Sequence, residues 1–190
     1  SFALFFFWLL HAAWQAIKNR QPSYLRQRLG FTSDFKQAQS VWIHAASVGE
    51  VELIKPLVER LGEDHSILVT TFTATGYQHA RRVLGESIQI CALPIDLLPI
   101  SRRFIQRHRF KLALIAETEL WPETLYQASR QGIPLIQINA RLSARSLNAS
   151  AWSRNLLKNT LCYFDRILTR TEQDVTNLIT LGTDKDKITI

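Results

Sequence analysis

The sequence predicts an α/β domain built on a doubly wound parallel sheet, and three observations carry that prediction. From about residue 40 onward, short apolar runs alternate with stretches of helical periodicity. The apolar runs are continuous, which is the pattern of strands covered on both faces. No linker, internal repeat or low-complexity segment breaks the alternation, so a single domain is expected over residues 37–190, behind a distinct stretch at residues 1–36.

Each element has its own warrant. Residues 41–46 (VWIHAA) read as a buried strand. Residues 50–61 read as a helix with Leu53, Ile54, Leu57, Val58 and Leu61 on one face, and Pro56 inside it implies a kink or a late start. A strand follows at 66–71, then a short helix at 76–84 with Thr75 as an N-cap. Residues 88–92 are a strand, 97–108 a helix interrupted early by Pro99, and 112–116 a strand. The helix at 122–130 opens on Pro, where a missing N–H costs nothing. A strand at 133–138, a helix at 146–159 and a strand at 165–169 come next. A last helix at 172–181 stops at Gly182. Residues 186–190 read as a strand just beginning, and with no Met in the chain this leads to the expectation of a piece of a longer protein.

Composition narrows the partners. Of 190 residues, 23 are Lys or Arg and 16 Asp or Glu, a formal net charge of +7. That excess points to nucleic acid, acidic lipid or a phosphorylated substrate. Cys91 and Cys162 exclude a disulfide scaffold and a Cys-rich zinc site, and both are expected as buried, reduced side chains. Residues 2–10 are nearly pure hydrocarbon and the first charge is Lys18. A membrane-anchoring helix is favoured there over a buried first helix. Lys18, Arg20, Arg26 and Arg28 follow with no acid until Asp34, which places the domain on the cytoplasmic side and its basic residues near acidic headgroups.

Ligands of open parallel sheets bind beyond the carboxyl ends of the strands. After the first strand stands Ser47-Val48-Gly49-Glu50, where Gly49 lets backbone approach a ligand and helix N–H groups favour anions. Glu50 reads either as a helix-start acid or as a general base in a cleft. After the second strand, Thr70 to Gly76 offers hydroxyls, including Thr73 and Thr75, for sugar or phosphate oxygens, or else for a helix cap. Glu117-Thr118-Glu119 sets two carboxylates after a buried strand, pointing the same way if extension persists. Arg102, Arg103, Arg107, His108, Arg109 and Lys111 form a basic run, read either as a solvated face or as a surface for phosphates or acidic lipid. It lacks the aromatic interleaving of a nucleic-acid surface, and no nucleic-acid partner is expected. His44 lies in an apolar strand and reads as a satisfied core residue; the five His share no metal spacing, so no metal is expected. GxGxxG, GxxxxGK[ST] and GxSxG are all absent.

Taken together, Trp42 to Glu50 (WIHAASVGE), Thr70 to Gly76 (TTFTATG), Glu117 to Pro122 (ETELWP) and Asn139 to Ser143 (NARLS), with Pro94-Ile95-Asp96 and Arg103-Phe104, resemble the 3-deoxy-D-manno-octulosonic acid (Kdo) transferases. The resemblance implies the Rossmann-like N-terminal, acceptor-binding half of a GT-B glycosyltransferase, with the C-terminal donor-binding domain absent from this chain. It implies inverting transfer of Kdo from CMP-Kdo to the lipid A precursor at the cytoplasmic face of the bacterial inner membrane, without a cofactor. Carried over, Glu50 is the base, and Glu117 or Glu119 assists. Ser47, Gly49, Thr73, Thr75, Gly76 and Arg141 shape the acceptor site. Arg26, Arg28, Arg102, Arg103 and Arg107 meet phosphates or lipid. Two other classes are weighed against it. A nucleotide-sugar epimerase or dehydrogenase domain calls for a Gly-rich first turn, which Ser47 to Glu50 is not. A non-catalytic, membrane-tethered module would use the basic faces and tolerate loss of Glu50.

Overall fold

The computed structural model describes residues 22–32 and 39–190; the anchor helix expected near the N-terminus falls on residues outside these. Among the described residues, seven strands form one parallel sheet in the order β3-β2-β1-β4-β5-β6-β7. They are β1 (Val41–His44), β2 (Ile67–Thr71), β3 (Gln89–Ala92), β4 (Leu112–Ala116), β5 (Leu135–Ala140), β6 (Arg166–Thr169) and β7 (Ile188–Thr189). The chain winds outward from β1 to β3, then returns to the other side of β1 with β4. The reversal falls between β1 and β4, and two loops part there at the carboxyl ends of the strands.

The helices cover both faces. α2 (Val48–Gly62) and α3 (Ala74–Val83) bury Val51, Ile54, Val58 and Ala80 against Val41, Ile43, Val69 and Leu114. α4 (Leu98–His108), α5 (Pro122–Arg130), α7 (Ala151–Leu161) and α8 (Glu172–Leu181) bury Phe104, Leu125, Leu161 and Leu178 against Trp42, Leu68, Ile115 and Ile167. The alternation within β1 is direct: Val41 and Ile43 face one layer, Trp42 the other. No helix among the described residues is long and apolar enough to cross a membrane.

The basic stretch ahead of the domain contains a helix, α1 (Pro22–Arg28), built onto the sheet edge. Tyr24 packs with Ala74, Tyr77 and Ala92. Gln27 Oε1 accepts the Ala92 N–H at 2.8 Å, and the Arg28 carbonyl accepts from Ile95. An outer strand is thus left with fewer open donors.

Several expected boundaries move for local reasons. α2 begins at Val48 and runs through Pro56, held by its buried face. Pro99 sits in the first turn of α4 and starts that helix rather than interrupting it. Thr73, not Thr75, caps α3: its Oγ1 accepts the Gly76 N–H at 3.0 Å. The strand expected at 133–138 lies two residues later, since Pro134 precedes it and the Leu135 N–H goes to Asp165 Oδ2 at 2.8 Å. The helix expected at 146–159 is two, α6 (Ala144–Leu147) and α7, because Ser150 caps a fresh start by accepting the Ser153 N–H. Cys91 is buried as expected, but Cys162, at the end of α7, is exposed.

Candidate active site

The crevice at the reversal point is lined from both sides. From β1 comes the loop Ala45 to Ser47 and the start of α2. Ser47 is the N-cap of α2, and Glu50 lies in the first turn. The Glu50 carboxylate accepts the Ala46 N–H and the Ser47 hydroxyl, each at 2.8 Å, while Ser47 Oγ accepts the Glu50 N–H at 3.4 Å. This is a reciprocal cap, and it fixes the carboxylate at the start of α2, beyond the carboxyl end of β1. Glu50 is 8% exposed, and burial is the main cause of its raised pKa; the hydrogen bonds from Ala46 and Ser47 work against that rise, and the charge of Glu117 adds to it. Gly49 is exposed, with nothing near the place a Cβ would take, so the helix start stays open.

Gly76 has the opposite role. A Cβ there would stand 2.9 Å from Thr73 Oγ1 and 3.2 Å from the Ala46 carbonyl oxygen. Thr73 also donates to that Ala46 oxygen at 3.1 Å. Gly76 and Thr73 therefore support the Ser47 loop from behind. Thr75 is exposed and lines a separate opening of about 430 Å³ with Val48, Gln78, His79 and Arg82.

From β4 come Glu117 and Glu119. The condition for their pointing the same way, continued extension, is not met: extension stops at Glu117, whose φ is +54°. Asn139, at the end of neighbouring β5, has φ +54° as well. Two non-glycine residues in this sparsely populated region, side by side at a crevice, mark stored strain. They are tied together: Gln137 Nε2 donates to the Glu117 carbonyl at 2.7 Å, and Asn139 Nδ2 reaches Glu117 Oε1 at 3.4 Å. Glu119 is held at about 7, mainly by burial and then by the charges of Glu50 and Glu117, opposed by a hydrogen bond from Trp121. The three carboxylates are therefore one electrostatic cluster across the crevice. Of these, Glu119, at about 7, titrates near neutral pH.

Beside the cluster a polar recess of about 390 Å³ is lined by Glu117, Thr118, Glu119, Arg141, Ser143 and Asp174, among others. Thr118 donates to the Arg141 carbonyl, and Asp174 Oδ1 accepts the Leu142 N–H at 3.3 Å. Arg141 is exposed and brings a positive charge to the acids. Among the described residues no group of three or more His, Cys, Asp or Glu is arranged to hold a metal ion.

The basic candidates divide. Arg26, Arg102, Arg103 and Arg107 are exposed. Arg28, expected at phosphates or lipid, is 2% exposed instead; it donates to the Leu93 carbonyl and lies 4.5 Å from the Phe72 ring centroid. Burial lowers its pKa to about 10. His108 is buried, hydrogen-bonded to Thr32 Oγ1 at 2.8 Å, and held down to about 4 by burial and by Arg107, so it adds no charge to the basic run.

Sequence reasoning met Trp121, Asn139 and Asp96 inside its motifs but gave them no role of their own. Asp96 caps α5 from a distance, accepting Glu123 and Thr124 N–H groups at 3.0 and 2.7 Å, and so fixes the loop that carries Glu119 and Trp121. The available signal was an N-terminus at Pro122 with no capping residue of its own.

Comparison with known proteins fits this geometry. Residues 23–190 match the family model described as 3-deoxy-D-manno-octulosonic-acid transferase (kdotransferase). A 3-deoxy-D-manno-octulosonic acid transferase from Bordetella pertussis is 36% identical over 168 residues, 85% of this chain and 39% of the relative. One from Haemophilus influenzae is 36% identical over 179 residues, 90% of this chain and 42% of the relative. The chain thus spans about two-fifths of the length of these relatives. Among solved structures, UDP-GlcNAc 2-epimerase from Neisseria meningitidis superposes with a TM-score of 0.57 at 15% identity, over 80% of this chain and 46% of that one, a likeness of fold. On the match of 168 of its 190 residues, this chain belongs to the 3-deoxy-D-manno-octulosonic acid transferase family.

Proposed function

We propose that this chain is the acceptor-binding part of an inverting glycosyltransferase that moves Kdo from CMP-Kdo to the lipid A precursor in lipopolysaccharide synthesis. The observation that carries the reading is Glu50, fixed by Ala46 and Ser47 at the start of α2, where the strand order reverses, in a chain of this family. In the proposed step an acceptor hydroxyl oxygen attacks the anomeric carbon of Kdo from the face opposite CMP. The new C–O bond forms as the bond to the CMP phosphate breaks, and CMP leaves with the electron pair. The hydroxyl proton passes to the Glu50 carboxylate. A carboxylate whose pKa is raised by burial accepts that proton more readily than an exposed one. Arg141 supplies a positive charge for an anionic sugar beside the acids.

The enzyme works at the cytoplasmic face of the inner membrane in this reading. In its support, Phe31 and Leu98 are each 55% exposed among Arg102, Arg103 and Arg26, with Arg103 5.2 Å from the Phe31 ring centroid. Exposed apolar side chains beside cations suit an acidic lipid surface.

The test is transfer of labelled Kdo from CMP-Kdo to a tetraacyl disaccharide bisphosphate by the full-length protein, beside Glu50→Ala, with acceptor binding measured in parallel. Wild type transfers, and the variant binds acceptor but loses about 10²-fold or more in rate. Near-normal transfer by the variant moves the base to Glu117 or Glu119. Acceptor binding without transfer by either protein favours a non-catalytic module that binds anionic lipid.

A further inference from the structure

Side chains from two other elements hold the main chain just after Arg141. The Thr118 hydroxyl, from the loop after β4, donates to the Arg141 carbonyl. Asp174 Oδ1, from the first turn of α8, accepts the Leu142 N–H at 3.3 Å. Asn177 Nδ2, further along α8, donates to the Leu142 carbonyl at 2.7 Å. The peptide that joins Arg141 to Leu142 is therefore gripped at both its oxygen and its N–H, and the next carbonyl is gripped as well.

The grips are themselves fixed. Asp174 and Asn177 share a face of α8, as residues with this spacing do. Gln173 Nε2 donates to Asn177 Oδ1 at 3.0 Å, which leaves the Asn177 NH2 group for Leu142. Asp174 Oδ2 accepts the Thr171 hydroxyl at 2.6 Å, which leaves Oδ1 for Leu142. Leu142 is 2% exposed, so the loop is anchored inward at that residue. On the strand side, β5 takes three steps from Gln137 to Ala140 while β6 takes two from Ile167 to Thr169. The extra residue is a bulge, with Asn139 at φ +54° inside it, and bulges re-aim the side chains beside them.

A backbone is anchored here and a charge is left free. Arg141 is exposed and lines the recess with Glu117, Glu119 and Asp174, yet among the described residues it forms no ion pair with any of them. A guanidinium held through its main chain, and not by a carboxylate, keeps its fork of N–H donors for an incoming anion. Fixing the backbone beforehand removes part of the ordering cost that a long side chain incurs on binding. We infer that Asp174 and Asn177 are positioning residues: through the main chain of Leu142 they fix the root of Arg141, so that its guanidinium meets the carboxylate of an anionic sugar in the recess. The inference deepens the transferase reading and rests on it for the substrate.

A double-mutant cycle in the full-length protein tests it. Arg141→Ala lowers kcat/KM for transfer by about 10-fold or more, and Asn177→Ala lowers it by about as much. In the Arg141→Ala background the Asn177 substitution costs nothing further, because the side chain it positions is gone. Losses that multiply are the mark of a merely structural contact and overturn the inference. Asp174→Asn keeps an oxygen for the Leu142 N–H and stays near wild type, whereas Asp174→Ala does not; equal losses overturn the role given to Asp174. If Asn177→Ala does not fold, Thr118→Val, which removes the grip on the Arg141 carbonyl, takes its place in the cycle. Calorimetric binding of free Kdo, a sugar acid, to the same proteins separates this inference from the transferase reading. Binding that falls in each single variant and no further in the double one, without transfer by wild type, upholds the positioning and sinks the transferase. Transfer with multiplying losses does the reverse. Neither transfer nor Kdo binding by wild type sinks both.

Discussion

Glu119 carries a price in stability that a titration exposes. Its carboxyl is raised from an ordinary 4.5 to about 7, so the folded protein favours the protonated form. That preference stabilises the fold fully below about pH 4.5 and is lost as pH rises through 7. Glu119→Gln should therefore leave stability unchanged near pH 4.5 and raise it by about 2 kcal/mol at pH 8, as read by chemical unfolding across that range. An equal effect at both ends would place its cause elsewhere. At this scale the sequence disclosed the three acids but not their arrangement. Strand alternation aligns Glu117 with Glu119 only while the backbone stays extended, and the left-handed turn at Glu117 depends on Gln137 and Asn139, twenty or more positions away.

Elements place the acids, and two glycines separate packing from access. Gly76→Ala drives a Cβ to 3.2 Å from the Ala46 carbonyl, so the Ser47 loop must move. A cost of about 1–3 kcal/mol is expected, with loss of transfer activity beyond that explained by unfolding. Gly49→Ala meets open space inside the first turn of α2 and should stabilise by about 0.5 kcal/mol or more. Thermal unfolding of the two variants checks the contrast, and equal destabilisation would refute it. Strand and helix types were legible because apolar runs and periodicity are local. The bounds of α5 and α8 were read correctly, each with a strong start signal. The split between α6 and α7 was not, since the periodic pattern continues across a cap that only Ser150 makes.

For the whole molecule the net charge of +7 resolves into a surface and an interior. Arg102 and Arg103 stand in solvent beside Phe31 and Leu98, while Arg28 is sealed under Phe72. Arg102→Glu with Arg103→Glu should weaken binding of the full-length protein to vesicles of anionic lipid by about 1 kcal/mol per charge lost, an effect that disappears in high salt. Arg28→Lys should instead lower stability and leave vesicle binding alone. Sedimentation with vesicles distinguishes these outcomes. Unchanged binding by the double variant would remove this face from the membrane.

Sequence alone determined the doubly wound α/β class and the resemblance to the Kdo transferases, and it pointed to the carboxyl-end loops as the place of a candidate site. These follow from local patterning and from motif residues that stay close along the chain. Tertiary structure decided what has no local signal. It set β1 beside β4, which brings Glu50 within electrostatic reach of Glu117 and Glu119. It buried Arg28 and His108 out of the basic run. It also set the Trp121 indole N–H on His44, 77 positions away. Burial and charge proximity are properties of the packed chain, and they decide which carboxyl keeps its proton.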